Sequence, residues 1–181
     1  MTEEIFRVYW HDDCMLHDGG DSVLENEPPD FIVMPEPHVE TAMRVLNIKG
    51  ILEKGPLKDR IDLRIGRPAT DEEILSFHTP EHLAAMKAAA ANPKPVRIDG
   101  GGTVVADGTL EAAMAAAGTT LDALKAVLNE PGGPVYSLVR PPGHHAQPTM
   151  GDGNCIFNNV AIAVEAARAH GVERIAVIDW D

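Results

Sequence analysis

An α/β fold with a mainly parallel central sheet is what this chain of 181 residues predicts, and three observations carry the expectation. Strand-like and helix-like patterns alternate along it, the order that lays helices on the faces of a parallel sheet. The run Ile175-Ala176-Val177-Ile178 is apolar at every position, as strands buried on both faces are. Leu110, Ala113, Met114, Ala117, Leu121, Leu124 and Leu128 mark one stripe of a long helix whose alanine-rich face suits close packing on a sheet. With 44% hydrophobic residues there is material for one sizeable core, so a single domain is expected.

The elements follow in order. Residues 5–10, β-branched and aromatic, read as a first strand, and residues 11–37, punctuated by Gly19-Gly20, Pro28-Pro29 and Pro35, as a long loop that could wall a binding site. Ala42, Val45, Leu46 and Ile51-Leu52 recur at helical spacing within residues 38–54, closed by Gly55-Pro56. Residues 61–65 alternate apolar and polar, as a strand at or near a sheet edge does. Thr70 with Glu73 forms a capping-box pattern, and Thr79-Pro80 opens a second helix that runs to about Ala91. After the glycine run 100–102, Asp107 is placed to cap the long helix, where Gly118 predicts a close contact. Residues 135–139 form a buried-type strand, Gly151-Asp152-Gly153-Asn154 a turn, and Val160, Ala161, Val164 and Ala167 the apolar face of a last helix stopped by Gly171.

Composition narrows the function. Against 28 acidic side chains stand 15 basic ones, a formal net charge of -13, which excludes binding that relies on Lys and Arg neutralising phosphates. No nucleic-acid partner is expected; a cationic one fits better. Cys14 and Cys155 are too few for a disulfide framework, and Cys155 reads as a buried thiol rather than a nucleophile. The acidic start Met1-Thr2-Glu3-Glu4 is unlike a signal peptide and no apolar run approaches the ~20 residues of a membrane span. A soluble cytoplasmic protein without membrane contact is the expectation.

Chemistry concentrates at the ends of two apolar strands. Arg140-Pro141-Pro142-Gly143-His144-His145-Ala146 follows one, and Asp179 and Asp181 end the other on a shared face. Ligands of open α/β sheets bind beyond the carboxyl ends of the strands, where all four side chains are placed. Histidine and carboxylate both bind zinc, and a carboxylate also orients a histidine by accepting its second ring N–H. Acids at strand ends serve equally as helix caps or solvated charges, so these residues alone leave both readings open. His11, Cys14 and His17 have metal-like spacing but read as ordinary loop packing, and His78 and His82 as surface packing. Gly100-Gly101-Gly102 lacks the Lys-Ser/Thr of a phosphate-binding loop.

Arg140 to Ala146, then Cys155-Ile156-Phe157-Asn158-Asn159-Val160-Ala161-Ile162-Ala163 and Val177-Ile178-Asp179-Trp180-Asp181, in this order and spacing, resemble the zinc-dependent histone deacetylase superfamily. The likeness is closest to its bacterial class II-like amidohydrolases and acetylpolyamine deacetylases, and it covers nearly the whole chain. It implies an arginase/deacetylase-like three-layer α/β fold and removal of an acetyl group from acetyl-lysine or an acetylpolyamine through a zinc-bound water. Asp181 then resembles a zinc ligand, Asp179 the carboxylate that holds His144, His145 the general base, and His144 a partner acting through charge and hydrogen bonds. Gly153 resembles the substrate-channel glycine, and Asp179 and Asp181 would border a monovalent-cation (K+) site. Asn154 stands where the channel wall is usually aromatic, and Asp99 is the one candidate for the acidic channel rim.

The same resemblance calls for two further zinc ligands and a tyrosine downstream of Asp181. The expectation is therefore that residues 1–181 are the N-terminal part of a single deacetylase domain, with the fold incomplete and activity absent should the chain end there. An incomplete sheet would expose an edge and an apolar face, so association into a homo-oligomer is expected. The rival readings are a non-catalytic, metal-free interaction module of the same fold and, disfavoured for want of carboxylates, a two-manganese ureohydrolase.

Overall fold

A computed structural model describes residues 5–22, 36–100 and 102–181; the middle of the predicted 11–37 loop, residues 23–35, lies outside the described residues, as does Gly101. The strands are β1 (Phe6–Trp10), β2 (Asp21–Ser22), β3 (Glu36–Pro37), β4 (Ile61–Ile65), β5 (Val96–Arg97), β6 (Val104–Val105) and β7 (Val135–Ser137). The helices are α1 (Met43–Lys54), α2 (Asp71–Ile74), α3 (Pro80–Ala90), α4 (Thr109–Asn129) and α5 (Asn159–Ala169).

The main sheet has the order β4-β1-β7, and both neighbours run parallel to β1. Period two divides the side chains of β1 between its faces. Phe6, Val8 and Trp10 pack with Val45 and Leu52 of α1, while Tyr9 packs with Ala123 and Ala126 of α4. Arg7, on the second face, donates to the Ala126 carbonyl at 3.2 Å. Helix, sheet and helix make three layers, the α/β architecture expected. β4 pairs with β1 alone among the described residues, in keeping with an edge strand. The β7 ladder extends one residue further, because the Leu138 N–H donates to the Tyr9 carbonyl at 2.9 Å, and it delivers Arg140 to the carboxyl end of the sheet.

Local chemistry explains the helix ends. Thr70 and Glu73 make both halves of the capping box at α2, and Thr79 caps α3 with Pro80 in its first turn. Gly118 sits where α4 crosses residues 67–69: a Cβ there would lie 2.1 Å from the Arg67 carbonyl oxygen, so only glycine lets the two backbones touch. Asn158 caps α5 by accepting the Ala161 N–H at 2.9 Å, and Gly171 follows its end with φ 93°.

Four expectations need correction. Helix α1 starts at Met43 rather than near His38, because residues 36–37 pair with residues 21–22 as a short antiparallel ribbon. Asp107 does not cap α4; Gly108 is the N-cap, with φ 75°, and the Thr109 hydroxyl accepts the Ala106 N–H instead. Residues 96–97 and 104–105, where the sequence predicts no strand, pair as an antiparallel hairpin of β5 and β6 too short to carry a periodic signal. Residues 175–178 form no paired strand: Val177 is 57% exposed and Ile178 80%. An interior strand needs a hydrogen-bonded neighbour and cover on both faces, and the described residues supply neither. Among them, no helix is long and apolar enough to cross a membrane.

Candidate active site

The loop after β7 is held at both ends. Upstream, Arg140 is 2% exposed and spends all five guanidinium N–H groups on buried acceptors. Nε and Nη2 donate to the Glu40 carboxylate at 2.9 and 2.7 Å, Nη2 also to the Glu40 carbonyl at 3.2 Å, and Nη1 to the carbonyls of Cys14 and His17 at 3.0 and 2.8 Å. Next to it, the Pro141 carbonyl accepts from Asn159 Nδ2 at 3.3 Å. Downstream, the Ala146 carbonyl accepts from Asn158 Nδ2 at 2.9 Å. The cap of α5 and the loop of the paired histidines are thus one hydrogen-bonded unit.

Between these anchors the imidazoles of His144 and His145 lie with ring centroids 4.1 Å apart. His144 Nδ1 is 2.8 Å from Asp179 Oδ2, and Nε2 is 3.7 Å from Asp181 Oδ2. A carboxylate only accepts, so the Asp179 contact puts a proton on Nδ1 and turns Nε2 toward Asp181. That hydrogen bond, with a weaker one from the Asp181 N–H, holds the Asp179 carboxyl below the usual carboxylate range. Although residues 172–181 form no strand, Asp179 and Asp181 do converge on the loop. Together with Pro142, Gly143, Asn158 and the apolar side chains of Val160, Val164, Val177 and Ile178, they line an open cleft of about 680 Å³.

His145 lies on the other side, against the turn. Gly153 and Asn154 both have positive φ, 51° and 68°, and Asp152 and Cys155 exchange backbone hydrogen bonds across them at 3.0 and 2.8 Å. This is the mirror-image hairpin turn that favours Gly and Asn. A Cβ on Gly153 would lie 2.5 Å from the His145 ring, so the missing side chain makes room for the imidazole. Asp99 accepts the N–H groups of Thr103 at 2.7 Å and Gly153 at 3.1 Å, together with the Thr103 hydroxyl, and the Asn154 N–H donates to that hydroxyl oxygen at 2.8 Å. All seven candidate residues therefore form one contiguous chain, from Asp99 through Gly153 with Asn154, His145 and His144 to Asp179 and Asp181.

His78 and His82 are buried rather than at the surface. His78 Nε2 accepts the Asn158 N–H at 2.9 Å and His82 Nε2 lies 2.9 Å from the Ile156 carbonyl, so both rings brace the segment that clamps the loop. Burial pushes His78 down to about 4, with neighbouring His82 adding to the effect. Burial likewise raises the Cys155 thiol to about 11, far from a thiolate nucleophile. Glu40, Asn158 and Asn159 are the supporting residues to which sequence reasoning gives no role. Glu40 meets Arg140 across a hundred residues of chain, and no local pattern announces such a partner.

A catalytic zinc takes three protein ligands and keeps an open position. Asp181 presents one exposed carboxylate, and among the described residues no three His, Cys, Asp or Glu side chains converge. The donor set described here is thus incomplete for zinc by itself.

Comparison with known proteins gives this geometry a lineage. Residues 38–181 match the family described as the histone deacetylase domain. Histone deacetylase 8 of Arabidopsis thaliana is 42% identical over 176 residues, covering 96% of this chain and 46% of the relative. The histone deacetylase-like amidohydrolase of Pseudomonas aeruginosa is 38% identical, covering 93% and 44%, and polyamine deacetylase HDAC10 of Homo sapiens is 35% identical, covering 81% and 23%. The crystal structure of the HDA15 HD domain superposes with a TM-score of 0.76 at 27% identity, over 94% of this chain and 44% of that one. The chain spans less than half the length of each of these proteins. Its sequence, its three-layer parallel sheet and the order of its site motifs agree: the chain belongs to the histone deacetylase family.

Proposed function

We propose that this chain carries the proton-transfer half of a deacetylase site that removes the acetyl group from an acetylated amine, acetyl-lysine or an acetylpolyamine. The observation that carries the reading is the 2.8 Å contact of His144 Nδ1 with Asp179, made by a loop anchored at both ends with the tilted ring of His145 alongside. His145, exposed beside His144, takes the proton of the attacking water and returns it to the departing amine. His144, oriented by Asp179, stays in place and balances the charge that develops beside it. Relatives named for deacetylation of polyamines and as an amidohydrolase support the reaction class. A formal charge of -13 suits a product amine that is cationic once released.

Zn2+ is the cofactor proposed, with Asp181 as one ligand; when bound it would supply Lewis-acid polarisation of the acyl carbonyl. The incomplete donor set favours a second reading, a metal-free interaction module of the same fold. Acetate release from an acetylated lysine peptide and from an acetylated polyamine, measured with zinc content, separates the two. Turnover with bound zinc that drops by about 100-fold or more in His145→Ala supports the enzyme. A zinc-free protein with no turnover on either substrate replaces it with the module.

A further inference from the structure

The buried ion pair behind the histidine loop has no part in the proton transfer described above, yet its chemistry points toward that loop. Glu40 and Arg140 are each 2% exposed, and a lone buried charge is costly enough that the pair must form as a unit. The five donor bonds of Arg140 reach three separate backbone positions, at Cys14, His17 and Glu40, as well as the Glu40 carboxylate. Around them the polar groups are largely matched, His38 Nε2 being the buried atom that finds no partner. The Glu40 N–H donates to His38 Nδ1 at 3.1 Å. A neutral His17 with its proton on Nε2 satisfies both of its contacts, accepting the Thr109 hydroxyl at Nδ1 (2.8 Å) and facing Glu40 with Nε2–H (3.5 Å). Burial keeps His17 neutral, lowering it to about 4, so the cluster carries one positive and one negative charge.

Three residues separate Arg140 from His144, and the far end of the loop is already fixed to the cap of α5. The direction of the loop therefore depends on where the guanidinium fork is held, and the Glu40 carboxylate holds two of its five bonds. We propose that Glu40 is a positioning residue for the paired histidines: through Arg140 it sets the register of the 141–146 loop so that His144 meets Asp179. The inference rests on the reading of His144 and His145 as the proton-transfer pair, but the placement it describes is measurable without turnover.

The test is NMR of the purified chain, reading the hydrogen-bonded His144 Nδ1–H resonance and the amide exchange of residues 143–146, with the amides of α4 as an internal standard. In Glu40→Gln the resonance should disappear and loop exchange should quicken by about tenfold or more, the factor for one charged hydrogen bond, while α4 keeps its protection. A purely structural role would instead speed exchange in α4 and the loop together. Either that uniform change or an unaltered His144 resonance in a folded Glu40→Gln chain overturns the proposal. Should Glu40→Gln fail to fold, Glu40→Asp keeps the charge and shortens the reach by one methylene. Loss of the resonance there supports positioning, and its retention overturns it. Acetate release by the same samples is scored separately: an inactive wild type removes the proposed function and leaves the positioning result standing on the NMR.

Discussion

The two sides of the histidine pair are built in opposite ways. Upstream, Arg140 is sealed in the interior with every donor matched; downstream, Asp179 and Asp181 hang from a segment in which Ile178 is 80% and Trp180 91% exposed. The first contact is over-determined by five hydrogen bonds, the second by one between side chains. The difference teaches that the placement of the histidine loop rests on the packed interior, whereas the placement of the carboxylates rests on one exposed side-chain contact.

The largest effect of a single substitution should follow from breaking the sealed side. Arg140→Ala leaves the Glu40 carboxylate buried without its partner and should cost about 3–5 kcal/mol in urea unfolding; a loss under about 1 kcal/mol would show that the cluster admits water. Acid probes two buried rings without a substitution, His17 beside Glu40 and His78 beneath the cap of α5. His17 and His78 are each depressed to about 4 in the folded chain against about 6.5 when unfolded. Above pH 6.5 neither state binds the proton. Between 6.5 and 4 only the unfolded chain does, so stability should fall with falling pH by about 1.4 kcal/mol per unit for each ring and level off below 4. Unfolding midpoints that stay flat from pH 7 to 4 would contradict the buried neutral rings. The smallest effect belongs to the exposed side: Asp179→Asn should leave the urea midpoint unchanged while abolishing the His144 Nδ1–H resonance, and a midpoint that moved would mean the tail is better anchored than it looks.

The same contrast marks what could be read in advance. His144 and His145 were legible as a loop that follows a strand, and Gly118 because a mid-helix glycine signals a close approach; Asp179 reaches that loop although the strand expected to carry it does not form. Residues 175–178 misled because an apolar run states only what would suit a strand; whether a neighbour is present to pair with it is not a local property. His78 and His82 misled for a related reason: imidazole is neutral enough to be buried once a backbone group meets its nitrogen, and those groups lie some 74 to 80 residues away. Glu40 and Arg140, 100 residues apart, belong to the same class.

The two tryptophans of the chain divide along this line. Trp10 is 3% exposed, its indole N–H donating to Asp12 at 2.8 Å inside the packed sheet, while Trp180 is almost fully in water between the two carboxylates. Their emission is therefore separable by colour and by quencher: a blue, iodide-resistant component from the interior and a red, quenchable one from the tail. One optical sample thus holds two independent gauges, the first responding only when the domain comes apart and the second to whatever settles over the cleft.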